Sequence, residues 1–140
     1  MKHLFAQAVI IFSFFTLSSV SSAEIREDGN LAQEIVLLEA NSYRVVTEFN
    51  VYAMQKDKKS EQRLFDVLAT GDQLSSLFAE QSTELAPSWA KYRSFARANY
   101  KQAQGDTYIF NDMRALHQKL LTIISTVKKQ VNSDLLPAKD

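Results

Sequence analysis

The 140-residue chain contains no cysteine. That excludes disulfide staples, a thiol nucleophile, covalently attached haem and a lipid anchor on the usual N-terminal cysteine. Histidine is nearly as scarce, with only His3 and His117, so a multi-histidine metal site is excluded. No Glu-x-x-His string occurs, which removes the usual di-iron carboxylate signature of helical bundles. The three glycines, Gly29, Gly71 and Gly105, form no phosphate-binding loop. An excess of either charge is also missing, with 16 Lys and Arg against 16 Asp and Glu. Nucleic-acid-binding domains usually carry a basic excess, so no nucleic-acid partner is expected. Carboxylates are plentiful but sit at surface-like positions, with no apolar setting to raise one pKa. The chain reads as non-enzymatic and free of cofactors.

What is present begins at the N-terminus. Lys2 and His3 precede LFAQAVIIFSFFTL, and SSVSSA follows with small residues at Ser21 and Ala23. This charged, apolar, small-residue order is that of a secretory signal peptide over residues 1–23, with cleavage expected after Ala23. An uncleaved membrane anchor is the alternative, although the apolar run is short for a span. A cysteine-free exported domain with such a leader suits a bacterial periplasm. The leader carries Lys2 and no acid, so its removal leaves a net charge of −1. No later apolar run is long enough to span a bilayer.

The remaining chain is predicted to be all-α. Strand alternation is absent, and apolar residues recur at spacings of three and four. A first helix starts with Asn30 as cap and buries Leu31, Ile35, Leu38, Ser42, Val45, Phe49 and Tyr52. Its phase breaks in QKDKKS, where a turn is placed. The second helix runs from about Ser60 to Gln81 and lines up Leu64, Val67, Gly71, Leu74 and Phe78. Gly71 could split it, since glycine costs ~1 kcal/mol inside a helix. The third has Pro87 in its first turn and buries Trp89, Tyr92, Ala96 and Ala103, with Phe95 on the flank. Gly105 and Asp106 read as a stop and a new cap. The fourth carries Ile109, Met113, Leu116, Leu120, Ile123 and Val127, then frays into NSDLLPAKD. Short turns between four amphipathic helices predict an up-down-up-down four-helix bundle over residues 24–133, with a flexible tail over 134–140.

Two sets of residues are candidates for binding. Helical rise places His117, Gly71, Tyr92 and Ser42 at roughly 15–20 Å from one end, each on a different helix. A glycine leaves space, while a hydroxyl, a phenol and an imidazole supply hydrogen-bonding groups around it. The level is either a packed core in which His117 is satisfied by Ser42, Tyr92 or a trapped water, or a ligand pocket with Trp89 below as a stacking surface. The second set is Arg93, Arg97 and Lys101, which follow at one-turn spacing in PSWAKYRSFARANYK. They could hold an anionic ligand or partner. Alternatively they answer the preceding helix, because Glu61, Asp66, Asp72, Glu80 and Glu84 face a single Arg63 over residues 61–84.

A b-type haem between a methionine and a histidine is a minor alternative, since ALHQK around His117 is similar to the haem-ligand end of helical b-type cytochromes. The methionine disagrees. Helical rise puts His117 about 15 Å below the shared end and Met54 only about 1.5 Å below it. Met113 lies on the same helix as His117 and cannot face it across a haem.

From Leu64 the pattern LFDVLATGDQLSSLF, then Trp89-x-x-Tyr92, then MRALHQKLLTII resembles the periplasmic sensor domains of type IV pilus chemoreceptor-like proteins. The first helix departs from that family, because NSYRVVTEFNVYAM lacks its arginine- and glutamine-rich stretch. The resemblance implies a helical bundle that binds ligands or partners in the periplasm, here as a detached sensory or accessory domain. Two function classes therefore stand open. One is a small-ligand sensing, binding or sensor-accessory domain; the other is an envelope adaptor that docks on a protein partner.

Overall fold

A computed structural model describes residues 29–135. The expected signal peptide, its cleavage point and most of the C-terminal tail lie outside these residues. The fold is all-α: α1 spans Gly29–Gln55, α2 Lys58–Ser75, α3 Leu85–Asn99 and α4 Thr107–Leu135. Single 3-10 turns, Ser76–Phe78 and Tyr100–Gln102, extend α2 and α3. No described helix is long and apolar enough to cross a membrane.

Each boundary has a local cause. The break in QKDKKS falls at Lys56, whose φ of 54° lies in the left-handed region. Asp57 then caps α2 by accepting from the Ser60 backbone N–H at 2.8 Å. The Ser60 hydroxyl donates to the same carboxylate, and these bonds hold Asp57 below the usual carboxylate range. Asn30 lies one residue inside the described part of α1 rather than at its cap. Gly71 does not split α2, which continues to Ser75 and reaches Phe78 only as a 3-10 turn, short of the expected Gln81. The start of α3 is set two residues earlier than Pro87, because the Ser82 hydroxyl oxygen accepts from the N–H groups of Glu84 and Leu85, both at 3.1 Å. Gly105, at φ 77°, turns the chain between the 3-10 turn and α4. Asp106 caps α4 by accepting from Tyr108 N–H at 3.0 Å and Ile109 N–H at 3.3 Å.

The seam of α4 differs from the one expected. Met113, His117, Leu120, Ile124, Val127 and Val131 are buried, whereas Leu116 and Ile123 are only half-buried. Both sets have coiled-coil spacing and share Met113, Leu120 and Val127. Polar partners for His117 decide between them. The helix also outlasts its expected end at residue 133, since Val131 is still core and only Pro137 opposes helix at the residue before it.

Specific bonds join the helices. Asn41 Nδ2 donates to the Val67 carbonyl at 2.8 Å and Arg63 pairs with Glu48 at 3.2 Å, fastening α1 to α2. Lys128 meets Glu39 at 2.9 Å, and Phe49 meets Phe110 edge-on at 5.7 Å, fastening α1 to α4. Across α2 and the end of α3, the Tyr100 hydroxyl donates to Glu61 and its ring meets Phe65 at 5.4 Å. Asn41 escaped the sequence reading; it is 4 % exposed and tolerated because its amide reaches a backbone carbonyl.

Candidate functional site

The interior set converges, and it is packed. Ser42 and His117 meet at 2.9 Å through Oγ and Nε2. The Ser42 hydroxyl has one proton and donates it to the Glu39 carbonyl at 2.7 Å. Nε2 must therefore carry the hydrogen of the pair, which fixes the neutral tautomer of His117. Tyr92 lies flat against the imidazole, with centroids 5.1 Å apart, and its hydroxyl donates to the Ser42 carbonyl at 2.8 Å. Tyr43 closes the other side edge-on at 4.7 Å. Burial pushes the Tyr92 phenol above its usual range and lowers the pKa of His117.

Gly71 and Trp89 complete this level in a way that favours the packed core over the pocket. A Cβ on Gly71 would lie 1.9 Å from Trp89 Cζ2 and 2.1 Å from Cη2. The space that a glycine leaves is thus filled by the indole itself. Trp89 Nε1 donates to Asp72 Oδ1 at 2.7 Å, which anchors the ring in that position. Trp89 is a core side chain here rather than a free stacking surface. Met54, the methionine weighed for haem, is 77 % exposed at the far end of α1.

The His117 environment has a pH consequence. The folded pKa lies below the ordinary value of 6.5, so the unfolded chain binds more protons in that range. Stability from neutral His117 is fully present above the unfolded pKa and is lost as pH falls from ~6.5 through the folded pKa. Denaturant unfolding followed by circular dichroism should show this fall below pH ~6.5. A His117→Gln variant should flatten that limb of the profile; an unchanged profile would remove His117 as its cause.

The basic residues of α3 do not act together. Arg93 pairs with Asp72 at 3.0 Å, while the Arg97 guanidinium lies 4.4 Å over the Phe65 ring. Lys101 Nζ sits 5.8 Å from the centre of its neighbour Tyr100. The acidic answer from α2 is correspondingly narrow. Asp72 supplies it for Arg93, Glu61 accepts from Tyr100, and Asp66 accepts from Gln62. A shallow depression at Arg93 and Arg97 includes the Asp72 carboxylate, which disfavours an anion there.

A different site was missed in the sequence. The connection from α2 to α3, residues 79–84, stands against α4 and encloses a groove with a volume of about 640 Å³. Ile123 supplies apolar surface on the α4 side, and the buried Val127 borders the groove. Thr122 and Thr126 spend their hydroxyl protons on the carbonyls of Gln118 and Thr122, at 3.1 and 3.3 Å, leaving acceptor oxygens. Gln81 lines the same groove, and its Oε1 is buried without a hydrogen-bond partner among the described residues. A second hollow of about 280 Å³ adjoins the first, sharing Thr83, Glu84, Lys119 and Ile123 and adding Lys91 and Leu116. Glu80, Glu84, Lys91 and Lys119 form no ion pair with any described residue. The one available signal was Leu116 and Ile123, a second apolar stripe on α4 that the main seam does not need. No family model, curated protein or solved structure matches this chain.

Proposed function

We propose that this protein is an exported, periplasmic, non-enzymatic four-helix bundle that binds a small ligand, either as a sensing domain or as an accessory to one. The groove between residues 79–84 and α4 carries the reading, because it combines open volume, apolar surface and a buried amide oxygen with no partner among the described residues. Buried polar atoms are nearly always paired, so an orphan lining a groove is the place where a ligand would gain most. Export and cleavage after Ala23 rest on the leader sequence. The pattern LFDVLATGDQLSSLF, Trp89-x-x-Tyr92 and MRALHQKLLTII supports kinship with the pilus-type sensor domains.

The up-down-up-down course is supported by the order of the cross-helix bonds. Asn41 and Glu48 on α1 meet Val67 and Arg63 on α2, in reverse order. Glu39 and Phe49 likewise meet Lys128 and Phe110 on α4. Asp72 and Phe65 on α2 meet Arg93 and Tyr100 on the α3 side.

Docking on an envelope protein is the second reading, and the outer face of α1 favours it. Val36, Leu37 and Tyr43 are 50 %, 54 % and 53 % exposed within two turns of one another. Native mass spectrometry of protein recovered from a periplasmic fraction tests both readings and export together. The expected species begins at Glu24 and retains a small molecule that a bulky Thr126→Trp change excludes. A stoichiometric protein complex that survives Thr126→Trp and is lost in Val36→Glu would decide for docking. An intact Met1 terminus in membranes would end the export reading.

A further inference from the structure

The charges around the groove are distributed unevenly along its length. The larger part alone is bordered by Glu80 and the smaller alone by Lys91, while Glu84 and Lys119 border both. The smaller part is bordered by Lys91 and Lys119, with Glu84 as the only acid. Opposite charges face one groove without pairing with each other or with any other described residue. The hydrogen-bonding character follows the same division. At the acid-rich end, the Thr122 and Thr126 oxygens present acceptors, and Gln81 Oε1, buried in the wall, has no partner among the described residues, so both call for a donor. At the basic end, two ammonium groups call for an acceptor. Ile123 borders both parts, and Leu116, one heptad earlier on α4 and about 10 Å away by helical rise, lines the smaller one.

We infer that the groove binds a small zwitterion built from one or two amino-acid residues with apolar side chains. Its ammonium is held at the Gln81, Glu80 and Glu84 end, and its carboxylate lies between Lys119 and Lys91. This rests on the groove being the binding site and adds the class of ligand. An anion alone would meet Glu80 and Glu84, and a cation alone would meet Lys91 and Lys119. A ligand carrying both charges in the matching order satisfies each end. The ammonium also supplies the hydrogen bond that Gln81 lacks, which is stronger for having a charged donor. A free amino acid carries both charges on one Cα and so suits only the junction at Ile123 and Lys119, which border both parts. A dipeptide separates its two charges by one further residue, roughly 3.3–3.6 Å, and so reaches further toward both ends.

Isothermal titration of the chain from Glu24 to Asp140 with L-leucine and with leucyl-leucine tests the inference and separates the two sizes. N-acetyl and C-amide forms of whichever probe binds then test each charge. Both blocked forms should bind at least about tenfold more weakly. Gln81→Leu should weaken the parent probe. Lys119→Met should weaken it too, but should leave the C-amide form unaffected, because that form has no carboxylate to lose. Circular dichroism of these surface variants establishes that they remain folded. The inference is overturned if neither probe binds at millimolar concentration, or if N-acetylation leaves affinity unchanged. It is overturned separately from the groove reading if a non-zwitterionic molecule co-purifies and Thr126→Trp displaces it. If leucine or leucyl-leucine binds equally well to Thr126→Trp, the groove itself is not the site and both readings fall.

Discussion

Gly71→Leu is expected to destabilise the protein by roughly 3–5 kcal/mol, lowering the melting temperature by well over 10 °C for a domain of this size. The cause is contact with one side chain. The first carbon added to Gly71 falls 1.9 Å from Trp89 Cζ2, inside the indole, so the ring or the α2 backbone must move. Moving the ring breaks its 2.7 Å hydrogen bond to Asp72, a charged acceptor. Leucine recovers only ~0.8 kcal/mol of helix propensity over glycine. Gly71→Ala should already show much of the loss. Pairing Gly71→Ala with Trp89→Phe should be less harmful than the two single costs combined, a coupling of ~1 kcal/mol or more. Thermal and denaturant unfolding by circular dichroism reads both results. Near-native stability of Gly71→Leu would mean that the space beside Gly71 is open, and would return the interior level to consideration as a pocket.

Tyr92→Ala should cost ~3–5 kcal/mol, as removal of a fully buried aromatic ring does elsewhere. Tyr92 is 0 % exposed, stacks on His117 and bonds to the α1 backbone at Ser42. The variant would hold a closed cavity beside the imidazole, shaped like a phenol and with a carbonyl acceptor at its far end. Added phenol should therefore raise the melting temperature of Tyr92→Ala while leaving the parent protein unaffected. Tyr92→Phe keeps the ring and gives up only the hydroxyl bond, a loss of ~1 kcal/mol. Equal losses in the two variants would show that the hydrogen bond, and not the packing, is what matters there. No gain from phenol would show that the site collapses.

The helices themselves were legible in the residues because their ends are chemical. Gly105 and Asp106 were readable as a stop and a cap, whereas the break in QKDKKS was placed without its Asp57 cap. The meeting of Ser42, Tyr92 and His117 was also legible, since counting helical rise from one end places them at one level. What could not be read was which of two equally spaced stripes on α4 turns inward. Leucine at 116 is the better core residue when considered alone, and His117 wins only because Ser42 and Tyr92 are there to receive it. That choice turns Leu116 and Ile123 toward the groove. The groove was invisible for a further reason. Its other wall is the polar run from Glu80 to Glu84, whose path depends on the Ser82 cap and on where α3 begins. The close approach at Gly71 was half-readable: a glycine on a helix seam signals that something comes near, but not that the visitor is Trp89.

The chain has a single tryptophan, and it sits 1 % exposed between α2 and α3 with its nitrogen bound to Asp72. This makes the protein its own optical gauge. Any opening of that seam brings water to the indole and takes the Asp72 carboxylate from its nitrogen, so its emission reports the separation of these two helices. Trp89 does not line the groove along α4. Light emitted by the unlabelled protein can therefore distinguish a ligand that merely settles on α4 from one whose arrival is felt across the whole helical assembly.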